Sequence, residues 1–250
     1  AYGIDLNPFA IFLAKVKTTP IDPSKLTNEY FKLISEIGKI KDQEIKKPIF
    51  NNIDFWFKEK VIIQLAKIKE AISKIKDENI RNYFMVSFSE TVRLSSNTKS
   101  GEFKLVRMKK EKLENYNPDV LGIFKKKTET NIRGMSDFYK DASKKTWTKI
   151  IYGDSSKDNG IKADSIDCVI TSPPYGDSRT TVAYGQFSRL SAQWTDIFED
   201  PNKASGVDNE LLGGRATKTL EHILDSKYLI DSLNKIVKVD ERRAKDVLSF

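Results

Sequence analysis

The chain has 250 residues, 39% of them apolar and 31% charged, with a formal net charge of +8. That length buries a sizeable core as one large domain or two small ones, and the charge favours a polyanion as partner. A single Cys excludes a disulfide framework, one Cys with one His excludes a Cys/His zinc site, and no apolar run nears the roughly 18 residues of a membrane span.

With no secretory signal pattern, a soluble cytoplasmic protein working near nucleic acid is expected. The charge is uneven. Residues 101–150 carry 13 basic and 7 acidic side chains, and residues 151–200 carry 4 basic and 8 acidic. None of the 12 glycines has the Gly-x-Gly spacing of a nucleotide-binding loop.

Residues 1–8 read as a strand that ends on Asp5 and turns at Asn7-Pro8, followed by a short helix over 9–17. Asp22-Pro23 reads as a helix N-cap with Pro at the first helical position. That helix puts Leu26, Tyr30, Leu33, Ile34, Ile37 and Ile40 on one stripe. A longer helical pattern runs from about Phe55 to Asn79, with Val61, Ile62, Leu65, Ile68, Ile72 and Ile75 apolar and Lys between them. Packing on its own domain explains the pair better than a partner-binding hairpin does.

A Ser/Asn/Thr/Gly loop at 93–101 leads into a short basic and apolar segment to Lys110. A helix begins near Pro118, and Lys125-Lys126-Lys127 is a solvated face. The last hundred residues return to α/β grammar. A strand over Trp147–Tyr152 ends at Gly153-Asp154, and Ile166-Asp167-Cys168-Val169-Ile170 forms a second strand that buries Cys168. Helical patterns follow over about 186–198 and from about 219 to the end, with the lone His222 on a helix surface.

The sharpest feature is Thr171-Ser172-Pro173-Pro174-Tyr175-Gly176, directly after the apolar run. Two prolines fix φ and remove two donors, so the turn is stiff and its carbonyls stay open to hydrogen bonds. A bare Pro-Pro-Tyr is more often a rigid turn or an adaptor-domain ligand. Its place at the end of a strand argues for a ligand site, because open α/β sheets bind ligands at the carboxyl ends of their strands.

Ser172-Pro173-Pro174-Tyr175 after an apolar strand resembles the catalytic motif of the AdoMet-dependent DNA amino-methyltransferases, which act on cytosine N4 or adenine N6. Gly3-Ile4-Asp5-Leu6-Asn7-Pro8 is similar to the family's second strand, whose terminal acid binds the ribose hydroxyls of S-adenosyl-L-methionine (AdoMet). Gly153-Asp154 matches the acid at the adenine end of that cofactor, and residues 180–190 resemble the segment after the motif in one subgroup.

The resemblance implies an α/β fold: a partial Rossmann-like methyltransferase sheet with a large, mainly helical insertion. Residues 1–18 would begin the core, 19–147 would be the basic insertion, and 148–250 would continue the core through the catalytic turn. Ser172 and the Pro173 carbonyl would accept hydrogen bonds from the amino group of the target base. Tyr175 would stack on that base after it leaves the duplex.

The Ser form favours cytosine N4 and a restriction-modification role. Within the insertion, Arg93, Lys99, Lys104 and Arg107 are candidates for phosphate contacts with double-stranded DNA. Arg179, just past the motif, is a candidate for the DNA or the flipped base.

The family's Gly-rich AdoMet loop has no counterpart among these residues. The expectation is therefore an inner fragment of a methyltransferase, with a further segment or a second chain supplying that loop. Such a chain would bind AdoMet weakly or not at all by itself. The alternative is a noncatalytic DNA-binding remnant or a subunit of a split enzyme. A protein glutamine or an RNA base as target fits less well, since those enzymes more often carry Asn at the first motif position.

Overall fold

A computed structural model describes residues 1–99, 101–102, 104–142, 146–172, 184–209 and 226–248. Two short strands, β1 (Tyr2–Asp5) and β2 (Lys149–Tyr152), pair in parallel, with Tyr2 opposite Lys149 and Asp5 opposite Tyr152. Helices α1 (Pro8–Lys17), α2 (Pro23–Lys39), α3 (Ile53–Trp56), α4 (Glu59–Ser73), α5 (Glu78–Ser95), α6 (Lys110–Asn115) and α7 (Val120–Asp141) lie between them in the chain. After β2 come α8 (Tyr184–Trp194), a 3-10 stretch (Pro201–Asn209), α9 (Lys227–Val237) and α10 (Glu241–Leu248). The fold is α/β, mostly helical, with a small parallel sheet.

One local device starts many of the helices. Asn7 accepts from the Phe9 amide, Asp22 from Ser24, Asp77 from Ile80 and Asp119 from Gly122, at 2.8–3.1 Å. Each bond satisfies an amide that the first helical turn leaves open, and Pro8 and Pro23 remove another such amide outright. Asp77 also explains why the pattern read over 55–79 is not one helix. α4 stops at Ser73, and Asp77 caps a new one.

That new helix, α5, is the centre of the core and has no clean apolar stripe. Ile80, Tyr83, Phe84, Phe88 and Val92 are buried, but so are Ser87, Ser89, Thr91 and Ser95. The Thr91 and Ser95 hydroxyls donate to the Ser87 and Thr91 carbonyls one turn back, so these two buried hydroxyls are satisfied within the helix. α2, α4 and α7 pack around it through Leu26, Leu33, Leu65, Ile72 and Phe124.

α8 belongs to the same core. Its Trp194 is fully buried, with Phe50, Phe57 and Phe88 each edge-on to it at ring separations of 5.6–6.2 Å.

The strand expected over 166–170 is not formed. Val169 is 79% exposed, Ile170 is 93% exposed, and Cys168 is exposed rather than buried. A strand needs a ladder partner and a covered face, and among the described residues this segment has neither. Two strands therefore stand where the sequence suggested three. No helix of the described residues is long and apolar enough to cross a membrane.

Candidate functional site

The carboxyl ends of β1 and β2 lie side by side. Beyond the last paired residues, Asp5 and Tyr152, the Gly153 amide donates to the Asp5 carbonyl at 3.0 Å. This bond puts Asp5 and the Gly153-Asp154 turn at one edge, the edge where parallel sheets bind ligands.

Each carboxylate is oriented by its own turn. Asp5 Oδ1 accepts from the Asn7 amide at 2.7 Å. Asp154 Oδ1 accepts from the Ser156 hydroxyl at 2.7 Å and from the Ser156 amide at 2.9 Å. These two bonds, the hydroxyl first, hold the Asp154 carboxyl below the usual carboxylate range. In both residues the second oxygen has no hydrogen bond among the described residues, so it is open to a hydroxyl or amino donor.

α8 reaches the same edge. Asn7, buried between β1 and α1, donates from its side-chain amide to the Ser188 hydroxyl at 3.4 Å. The first turn of α8 is fixed from its other side, where Asp208 Oδ1 accepts from the Gly185 amide at 2.6 Å. A Cβ on Gly185 would stand 2.6 Å from that oxygen and 2.9 Å from the Asp208 backbone nitrogen, so only glycine fits. Arg189 projects over the Trp56 ring, 5.8 Å from its centroid. Burial lowers its pKa, and the nearby Asp208 opposes that shift.

Residues 97–99 and 104–108 form the next layer. Thr98 and Arg107 make an antiparallel bridge, Lys99 donates to the Val106 carbonyl at 2.7 Å, and Met108 donates to Asn97 at 2.9 Å. This ribbon is pinned to α3 by Asn97, whose backbone amide donates to the Trp56 carbonyl and whose side chain donates to the Phe55 carbonyl. It is pinned to α8 by the Leu105 amide, which donates to Gln186 Oε1 at 3.3 Å.

The residues singled out in the sequence therefore fall into distinct environments. Asp5 and Asp154 share the sheet edge. Ser172 is exposed, while Pro173, Pro174, Tyr175 and Arg179 lie outside the described residues, as does His222. Arg93 is held by Glu90 through two hydrogen bonds and lies over the Phe187 ring at 4.9 Å. Lys99 is paired with Glu102 at 2.6 Å. Lys104 and Arg107 are exposed, and neither has a carboxylate partner among the described residues.

Sequence reasoning gave no site role to Phe55, Phe187 or Arg189, which meet their partners through tertiary packing.

A groove of about 920 Å³ between α2, α4 and the start of α5 lies away from all this. Its Lys32, Lys39 and Lys74 are paired with Glu29 and Glu36. It opens at the Ile80 end of α5, about 20 Å along that helix from Arg93.

These features make the carboxyl ends of the two parallel strands a candidate ligand site. The chain is similar over its whole length to the Type II methyltransferase M.MvaI of Kocuria varians, with 43% identity over 270 residues. It spans 59% of that relative's length. This likeness supports a relationship to the type II methyltransferases. No family model and no solved structure matches the chain.

Proposed function

We propose that the chain carries the catalytic turn of an AdoMet-dependent DNA amino-methyltransferase of a restriction-modification system, with cytosine N4 favoured over adenine N6. The observation that carries this reading is order in the chain combined with place in the fold. Ser172-Pro173-Pro174-Tyr175 lies between β2 and α8. The edge of β1 and β2 holds two acids, each with an open oxygen, and α8 is fastened to that edge through Asn7 and Ser188. On this reading the two strands are part of a Rossmann-like sheet. Residues 19–147 are the DNA-facing insertion, and 1–18 with 148–250 make up the core.

The two acids suit a nucleoside cofactor. Asp5 would accept from ribose hydroxyls and Asp154 from the adenine end. AdoMet supplies an electrophilic methyl group when bound.

The chain's own task is to make a poor nucleophile attack. An exocyclic amino nitrogen has its lone pair drawn into the ring. Hydrogen bonds from its two protons to Ser172 and to the Pro173 carbonyl would localise that pair and aim it. Pro174 stiffens the turn, and Tyr175 stacks on the extruded base. The amino nitrogen would take the methyl group that AdoMet would supply, with the sulfur as leaving group, and would release one proton to water. The exposed cations Lys104 and Arg107, with Arg93, Lys99 and Arg179, would face the duplex.

Transfer of labelled methyl from AdoMet to duplex DNA, by the chain with and without a supplied segment carrying the Gly-rich loop, and with the product nucleoside identified after digestion, tests this. N4-methylcytosine is expected from the supplemented chain, and there Ser172→Ala abolishes transfer while leaving DNA binding intact. A supplemented chain that binds duplex DNA and transfers no methyl would establish the noncatalytic alternative.

A further inference from the structure

We propose that Arg107, held against the ring of Phe55, is a base-reading residue of the DNA interface, and that the segments 97–99 and 104–108, bridged at Thr98 and Arg107, form the element that enters a groove. This inference rests on the DNA-methyltransferase reading above and adds a specificity determinant to it.

The arginines near α8 differ in a way that assigns roles. Arg93 is tied to Glu90 through Nε and one terminal nitrogen, and Arg189 is half-buried over Trp56 beside Asp208. Arg107 is exposed, has no carboxylate partner among the described residues, and places its guanidinium carbon 4.2 Å from the centroid of Phe55. Phe55 is itself 45% exposed, so the pair stands at the surface.

A guanidinium that stacks face-on on a ring keeps its N–H edge open. That edge is the fork that pairs with O6 and N7 of guanine, the commonest specific contact in the major groove.

Both members of the pair are fixed by backbone bonds rather than by each other. Arg107 sits on the antiparallel bridge to Thr98. The Phe55 carbonyl accepts from Asn97 at 3.0 Å, and the Trp56 carbonyl accepts from the Asn97 amide at 2.7 Å. Holding the side chain in place beforehand reduces the ordering cost of reading a base.

A two-stranded ribbon is of a size that the major groove admits. This one carries exposed Lys104 and runs directly into exposed Lys109 and Lys110 at the start of α6, with no ion pair on any of them among the described residues, so cations for phosphate contact lie beside it. Through Leu105 and Gln186 it is tied to the helix that follows the Ser172 turn, so a base read by Arg107 has a set position relative to the base being methylated.

The test is selection of bound duplexes from a pool randomised over its central positions, sequenced for the wild-type chain, Arg107→Ala, Phe55→Leu and Lys109→Ala. The wild type should enrich a site with at least one strongly preferred G·C pair. Arg107→Ala should lose that preference by about tenfold at that pair alone. Phe55→Leu keeps the backbone bonds to Asn97 and should weaken the same position. Lys109→Ala should weaken binding to every sequence alike and flatten the salt dependence.

Undiminished preference at every position in Arg107→Ala overturns the proposal, as does a wild-type chain that enriches no sequence. If such a chain still methylates DNA, only the reading residue is lost; if it does not, the functional reading falls with it.

Discussion

The backbone amide of Gly153 donates to the carbonyl of Asp5 at 3.0 Å, and this one bond sets two acids from distant parts of the chain at the same sheet edge. Each acid spends one oxygen on its own turn and keeps the other open. Asp5→Asn and Asp154→Asn retain the oxygen that shapes the turn and lose the charge. Each is expected to lower photochemical labelling of the chain by labelled AdoMet by about tenfold, the scale of one charge-assisted hydrogen bond. Ser172→Ala should leave labelling unchanged. Equal labelling in the wild type and both Asn variants would remove these acids from the cofactor site.

Gly185 stands against Asp208 too closely for any Cβ. Gly185→Ala should cost about 1–3 kcal/mol, because the Asp208 backbone as well as its side chain must move. The double variant Gly185→Ala/Asp208→Ala should recover only part of the loss. Urea unfolding of the two single variants and the double variant measures this; full recovery would place the clash in the side chain alone.

Trp194 is enclosed by three aromatic rings and fully buried. Trp194→Ala should destabilise by about 3–5 kcal/mol, the range for emptying an aromatic site in a core. Trp194→Phe should be much milder. It keeps an aromatic ring in the site and removes an indole N–H that has no hydrogen-bond partner. Denaturation midpoints followed by circular dichroism would decide, and equal losses for the two variants would count against the ring packing.

Burial pushes the Glu90 carboxyl up, but Arg93 and Lys127 more than offset this and its pKa lies below the ordinary value. The pair therefore contributes stability above the unfolded-state glutamate pKa of about 4.3, and that contribution is lost as the pH falls through the lower folded value. Glu90→Gln should be less stable than the wild type near neutral pH, and the gap should close by about pH 3. Parallel unfolding curves across that range test it. A gap that persists in acid would mean that Glu90 acts through packing rather than charge.

Much of the molecule was legible without coordinates wherever a signal is local. Asn7-Pro8, Asp22-Pro23 and Pro118-Asp119 announce helix starts because a capping side chain and the amide it serves are at most three residues apart. Alternation and apolar runs found β1 and β2, and Ser172-Pro173-Pro174-Tyr175 is readable as a string.

What tertiary structure decided is what depends on partners far along the chain. Ile166–Ile170 has the composition of a buried strand, yet burial needs a neighbour, and Val169 and Ile170 are exposed. α5 was missed because its buried serines and threonines hide its periodicity, although they bond within the helix. Arg93 and Arg107 look alike in the sequence. Glu90 on the preceding turn occupies one, while a ribbon closed across residues 98 and 107 presents the other beside Phe55. Composition gave the charge of this surface; packing determined which of its cations remain open to a partner.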